Sequence, residues 1–249
     1  MRKFSLKWAR SSDVYKIEYD QNGCAHWGEI LHLKKSKEEL IKQDLACFMA
    51  NFEKAIKIKG KYDLEHFARI HNCIFGEIYP WAGMCRNYGV QKREKCLSGA
   101  SVDYCSPEFI QNSFNLYVEP LLADNLKKKD VVEQTKIISS SLQGIWQTHC
   151  FPEGNTRSTI MFVKKILKDR GINFDVEYLK SEKDIYRRAL SFYSTGQDNL
   201  MKPLETIIYN ALSKEKFREP VVIPERIEKN EKTGRFNVSF DKFEAQHER

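Results

Sequence analysis

Between about residues 36 and 215, apolar positions recur at the three- and four-residue spacing of amphipathic helices. Ser36-Lys37-Glu38-Glu39 has the form of a capping box and opens a long run through Leu40, Leu45, Phe48, Phe52 and Ile56, punctuated by Gly60. Asp63 is placed to cap a second helix carrying Leu64, Phe67, Ile70, Ile74 and Phe75. Pro80 and Gly83 then forbid continuation. Residues 84–103 alternate loosely and hold Gly89 and Gly99, which predicts a short hairpin or an ordered loop.

Ser106-Pro107-Glu108 reads as an N-cap followed by proline at the first helical position, with Phe109, Phe114, Val118 and Leu121 behind it. Asp130 caps a helix through Ile138, Leu142, Ile145 and Trp146. A polar segment interrupts the apolar pattern, which resumes at Ile160 and stops at Gly171, behind Lys168 and Arg170. Ser181-Glu182-Lys183-Asp184 is expected to cap a helix through Ile185, Ala189, Leu190 and Phe192. Pro203 is expected before the last helix, marked by Leu204, Ile207, Ile208, Ala211 and Leu212. Residues 218–249 are charged, contain Pro220 and Pro224, and show a weak hairpin signal at Lys232-Thr233-Gly234; they read as a disordered tail or one that folds on a neighbour. The expected fold class is all-α with one small β-hairpin. Its parts are an N-terminal extension (1–35), a helical domain (36–215) and a charged tail (216–249).

Composition changes this picture little. The 249 residues suffice for one substantial domain, and 30% charged with 41% hydrophobic residues is ordinary for a soluble protein. The net charge of +7 comes from lysines spread along the chain. That describes a solvated surface and is also compatible with an anionic substrate. No zinc-finger spacing or basic-region helix points to nucleic acid. Seven cysteines, at 24, 47, 73, 85, 96, 105 and 150, form no CxxC pair, so they read as reduced thiols of a cytoplasmic protein. The basic start lacks the apolar segment of a signal peptide, and no window approaches the ~18 apolar residues of a membrane span.

The polar interruption carries the chemistry. His149-Cys150-Phe151-Pro152-Glu153-Gly154-Asn155-Thr156-Arg157 places an imidazole, a carboxylate, a Gly-Asn turn and a guanidinium between two buried helices. Backbone N–H groups at a helix start, together with Arg157, suit a polyphosphate. Glu153 offers the hard oxygen that phosphate-bound magnesium takes. His149 is suited to accept a proton from an attacking hydroxyl. His66 and His71, five residues apart on one helix, do not share a face as metal ligands and read as structural. Lys92, Arg93 and Lys95 are candidates for steering an acidic target or are simply solvated.

This stretch resembles the signature of Fic-domain proteins, His-Pro-Phe-x-Asp/Glu-Gly-Asn-Gly-Arg-x-x-Arg. Ile70-His71-Asn72-Cys73-Ile74-Phe75-Gly76-Glu77-Ile78-Tyr79-Pro80-Trp81-Ala82-Gly83, with Arg86, looks like the family's helix-to-flap segment. Gly196-Gln197-Asp198-Asn199 with Pro203-Leu204 is a third, weaker match. The resemblance implies a helical core that binds ATP and Mg2+ and transfers AMP to a hydroxyl side chain of a target protein. By it, His149 is the general base, Phe151 anchors the loop and Glu153 holds magnesium. Gly154, Asn155 and Thr156 then surround the phosphates, and Arg157 neutralises their charge. A flap within residues 84–98 pairs with a target segment, and a small antitoxin-like inhibitor is a possible partner.

Three positions depart from the pattern. Cys150 replaces proline, Thr156 replaces the second glycine, and Ile160 stands where the family has its final arginine. A Cβ at 156 either restricts the backbone near the phosphates or comes with a useful hydroxyl. The resemblance also implies an inhibitory Ser/Thr-x-x-x-Glu motif in restrained members; neither end of this chain has a convincing one, which suggests no glutamate clamp. Two alternatives to AMP transfer stand: a Doc-like phosphate transfer, and a degenerate scaffold that only binds nucleotide or partner.

Overall fold

The computed structural model describes residues 5–10, 14–19, 25–30, 37–213 and 218–237. Two compact units divide the chain. One comprises Met1–Gly89 with Tyr104–Phe174, the other Val90–Asp103 with Asp175–Arg249.

The first unit opens with three short strands, β1 (Lys7–Ala9), β2 (Tyr15–Tyr19) and β3 (Ala25–Ile30), of which β2 and β3 pair antiparallel. Helix α1 spans Lys37–Ala55; Ser36, expected as its cap, lies outside the described residues. Asp63 caps α2 (Leu64–Phe75) as the sequence predicts, its carboxylate accepting the His66 N–H at 2.8 Å. Leu64, Phe67, Ile70, His71, Ile74 and Phe75 form the buried stripe of α2. Strand β4 (Met84–Arg86) follows and pairs in parallel with β1, Trp8 opposite Cys85. The start of the expected hairpin segment therefore finds its partner in the N-terminal extension, not within residues 84–103.

A 3-10 turn at Pro107–Phe109 leads into α3 (Ile110–Val118), and Asp130 caps α4 (Val131–Thr148) through the Glu133 N–H. Gly144 lets α3 and α4 approach closely, because a Cβ there would fall 2.1 Å from the Tyr117 ring. Helix α5 spans Asn155–Asp169. The core is aromatic. Phe67 of α2 lies 5.1 Å from Phe114, 4.9 Å from Phe151 and 5.0 Å from Phe162 between ring centroids. The loop residue Phe151 is thus as deeply embedded as any helical one. Fully burying such a ring contributes about 2–3 kcal/mol.

The second unit holds α6 (Val176–Ser181), α7 (Lys183–Tyr193) and α8 (Asp198–Leu212). Asp175, unremarked in the sequence, caps α6 through the Tyr178 N–H. Ser181 does not cap α7: it ends α6, and its hydroxyl donates back to the Tyr178 carbonyl at 2.8 Å. Pro203 does not precede the last helix either, but sits inside α8. In residues 90–103 a single antiparallel bridge, Arg93 to Ser101, closes a loop around a 3-10 turn at Lys95–Leu97.

Of the two readings of the tail, disordered or folded on a neighbour, residues 218–237 take the second. They form a strap ending in the hairpin of β5 (Glu228–Lys229) and β6 (Phe236–Asn237), on the turn signal read at Lys232-Thr233-Gly234. Ile223 and Ile227 are buried, and the Ile227 N–H donates to the Cys96 carbonyl at 2.8 Å. Gln197 holds the strap by two bonds to the Phe236 backbone, at 3.0 and 2.7 Å. Two apolar anchors and an amide clamp outweigh the strap's charged composition.

Candidate active site

Helix α4 stops where His149 turns left-handed, at φ 50° and ψ 56°, and its N–H donates to the Trp146 carbonyl. A side chain with a Cβ adopts this conformation only at a cost of order 1 kcal/mol, so something must hold it. Arg86 does. Its Nε donates to the His149 carbonyl at 2.6 Å, Nη1 to the Tyr88 carbonyl at 2.6 Å, and Nη2 to the carbonyls of Thr148, at 3.2 Å, and Cys105. The guanidinium is fully buried, and burial pulls its pKa below the usual arginine value. The His149 ring is buried with its centroid 4.3 Å from that of Tyr104.

The loop then turns through Phe151 and Glu153 to the start of α5. Asn155 folds its amide back on the loop, accepting the Phe151 N–H at 2.9 Å and donating to the Phe151 carbonyl at 2.6 Å. Its side chain is a brace, so what it offers an anion is backbone. Gly154 is left-handed at φ 81°, and a Cβ there would fall 2.6 Å from the Phe75 ring. His71 pins the middle of the loop. Its Nε2 donates to the Glu153 carbonyl and its Nδ1 accepts the Gly83 N–H, both at 2.9 Å. That pairing requires the neutral ring, and burial lowers its pKa to about 3. The structural reading of His66 agrees too, with Nε2 donating to the Ile58 carbonyl at 2.9 Å.

Thr156 sits in the first turn of α5 with ordinary backbone, absent from the described non-glycine residues at positive φ. Its Cβ therefore imposes none of the restriction the sequence raised, and its hydroxyl accepts the Trp146 indole N–H at 3.1 Å. The first N–H groups of a helix lack intrahelical acceptors, so Asn155, Thr156 and Arg157 present a positive helix end. Arg157 is spoken for: its guanidinium pairs with Asp44 of α1 and lies 5.2 Å over the Phe75 ring. Tyr79 donates to the same Asp44 oxygen at 3.3 Å. Burial pushes the Asp44 carboxyl above its usual range, Arg157 pulls it back, and the charge of Glu153 adds to the push. Glu153 itself is half-buried beside this pair. One turn beyond Arg157, Ile160 is buried.

The seven residues singled out in the sequence thus share one loop and one helix start. Of those that hold them there, the sequence reading has His71 as structural and Arg86 only as part of the helix-to-flap resemblance, while Asp44 and Tyr104 carry no role in it.

Residues 61–167, which contain this whole arrangement except Asp44, match the family model of the Fic/DOC family. This part of the chain is similar to Fic/DOC domains. Two protein relatives agree. The protein adenylyltransferase VbhT of Bartonella schoenbuchensis is 25% identical over 148 residues, 59% of this chain but only 29% of that protein. The probable protein adenylyltransferase y4lH of Sinorhizobium fredii is 28% identical over 135 residues, 53% of this chain and 67% of its own.

Solved Fic domains share the fold. BepC of Bartonella tribocorum, with bound AMPPNP, superposes with a TM-score of 0.61 at 14% identity, covering 83% of this chain and 99% of that one. An ADP-bound Fic domain of a putative cell filamentation protein from Bartonella quintana gives 0.59 at 19%, over 74% and 90%. Within the matched residues the loop from His149 to Arg157 is one contiguous string. Among the described residues no helix is long and apolar enough to cross a membrane.

Proposed function

We propose that the chain transfers AMP from ATP to a hydroxyl of a target protein in the cytoplasm, with His149 as general base. The observation that carries this reading is the loop itself. An imidazole and a helix N-terminus are fixed on either side of one five-residue turn, in a domain whose matched relatives are named protein adenylyltransferases. The target hydroxyl attacks the α-phosphorus, its proton passes to His149, the bond to the β-phosphate bridge breaks and pyrophosphate leaves.

Such reactions are catalysed mainly by positioning and charge stabilisation, which suits a site built from braces. The first-turn N–H groups of Asn155, Thr156 and Arg157 receive the phosphates beside Gly154, whose missing Cβ lets the loop pack against the Phe75 ring. Phe151 keeps the loop in register. Glu153 would hold Mg2+, which supplies neutralising charge when bound. Among the described residues no group of three or more His, Cys, Asp and Glu side chains is placed to cage a metal. That fits an ion carried mostly on phosphate oxygens and water, which asks the protein for one carboxylate. A target segment docks along residues 84–98.

The test is parallel incubation of the purified chain and its targets with α-labelled and γ-labelled ATP. Label on protein from the α position, lost about 10²–10⁴-fold in His149→Ala, is the expected result. Label from the γ position alone would replace this reading with phosphate transfer. Retained ATP binding with no label from either position would leave only a binding scaffold.

A further inference from the structure

Away from the Fic motif, the second unit contains a groove of about 700 Å³ whose lining is dominated by cations. Its walls come from three separate stretches: the loop of residues 93–99, the middle of α7, and the strap at 225–226. Arg93 and Lys95 stand on the first, Arg187 and Arg188 on the second, and Arg226 on the third. Against these five cations the lining sets two carboxylates, Glu94 and Glu225. We infer that this groove docks an acidic segment of a partner protein, one that presents Asp or Glu side chains to the arginines.

Three observations favour carboxylates as the occupant. One wall already shows the pairing, with the Arg187 guanidinium on Glu94 at 2.5 Å. The planar guanidinium fork matches a carboxylate in two places, which a lysine ammonium cannot do. Most of the remaining positive charge is not neutralised locally. Among the described residues Arg93, Lys95 and Arg188 have no acid within ion-pair distance. Arg226 has only a long, exposed pair with Glu228 at 3.8 Å, besides its Nε bond to the Ser98 hydroxyl.

Arg188 is the sharpest case. Its Nη1 reaches the Pro224 carbonyl only at 3.5 Å, and its buried Nε–H has no acceptor among the described residues. A buried donor left unmade costs about 1–3 kcal/mol, so an incoming acceptor there recovers what the free protein lacks.

The lining also argues against other anions. It contains no aromatic side chain, whereas single-stranded nucleic acids are held by rings that stack on their bases. The cations stand in the middle of a helix, on a loop and on a strap, and do not converge on a helix N-terminus as a free phosphate site would. Long arginine and lysine stems supply an apolar floor that a peptide's methylene groups can cover. Gly99, at the groove's edge, has no heavy atom within 4 Å of where a Cβ would stand, which leaves room for a second backbone.

The experiment uses the full chain and a fluorescein-labelled peptide alternating Glu and Ser, followed by anisotropy at low and at high salt. The expected result is saturable binding that weakens with salt, with little binding of the matching Gln-Ser peptide. Arg93→Glu with Lys95→Glu, both exposed, is expected to weaken binding about tenfold or more, since two surface ion pairs together are worth roughly 1.4 kcal/mol. Lys127→Glu with Lys128→Glu changes the net charge equally in the first unit and is expected to leave affinity unchanged. Arg188→Gln tests the buried donor and is expected to weaken binding about threefold, with its melting temperature showing that the fold survives. His149→Ala is expected to bind the peptide normally, which separates docking in this groove, whose residues 93–98 lie within the proposed target-docking segment, from the chemical step of the proposed transfer. Equal binding of the Gln peptide, equal loss in the two charge-reversed pairs, or no binding at low salt would overturn the inference. So would an oligonucleotide of equal charge that binds more tightly and loses affinity in the Arg93/Lys95 variant.

Discussion

Arg86 and Arg157 flank the same loop, one behind the end of α4 and one in the first turn of α5, and their surroundings differ. Arg86 is fully buried and spends its donors on four backbone carbonyls, those of Tyr88, Cys105, Thr148 and His149. Arg157 is 29% exposed and meets one side-chain carboxylate, Asp44, which a different anion can replace. One arginine is scaffold; the other, under the proposed function, would be a ligand-binding group held in reserve. Identical chemistry takes on different work because backbone acceptors are permanent and side-chain acceptors are exchangeable. His71 lies between the two as a third anchor.

The sharpest way to break the comparison is at Arg86. Replacement by Met leaves the carbonyls of His149, Thr148, Tyr88 and Cys105 without their shared donor, at about 1–3 kcal/mol for each that finds no substitute. A net loss of roughly 3 kcal/mol or more is expected, read as a drop of about 6–12 °C in melting temperature. Arg86→Lys keeps the charge but lacks the fork, so it should recover only part of the loss. If both variants melt like the parent, Arg86 is not the scaffold described above.

His71 sharpens the comparison through pH. Its folded pKa of about 3 lies below the ordinary value of 6.5, so below pH 6.5 the unfolded chain takes up a proton that the folded chain refuses. Stability must therefore fall as pH drops through that window, by about 1.4 kcal/mol per pH unit once well below 6.5. His66, also lowered by burial, acts in the same sense. Denaturant midpoints measured from pH 6.5 downward should slope less steeply in His71→Asn than in the parent. Equal slopes would mean that His71 is not held neutral at the loop.

What the sequence disclosed, and what it hid, follows from how far apart the cooperating residues lie. Helices α2 and α4 announced themselves because an apolar stripe and an Asp cap are local, and the loop from His149 to Arg157 is one contiguous string. Arg86 meets the His149 carbonyl across 63 positions and Arg157 meets Asp44 across 113. A single long-range pair leaves no periodic trace. Asn22-Gly23, an ordinary hairpin signal, stands between β2 and β3, where Tyr15, Ile17 and Tyr19 alternate with Lys16 and Glu18, but strands this short carry little weight beside the long helical periods. The strap stays between two readings in the sequence for the opposite reason: its charge suggests disorder, while its order depends on Ile223, Ile227 and a glutamine in α8.

The smallest expected effect is the most diagnostic of a ligand held in reserve. Asp44→Asn keeps the shape and an acceptor for Tyr79, but removes the charge that holds Arg157. Burial already works against the Asp44 carboxylate, so the stability change should be about 1 kcal/mol or less. A phosphate no longer has to displace a carboxylate from Arg157, and affinity for a non-hydrolysable ATP analogue should rise about three- to tenfold by calorimetry. In the proposed reaction, nucleotide and the Asp44 carboxylate of α1 would compete for one guanidinium. A fall in affinity in Asp44→Asn would reverse the assignment: Asp44 would then be aiming Arg157 at the phosphates, and both arginines would be scaffold.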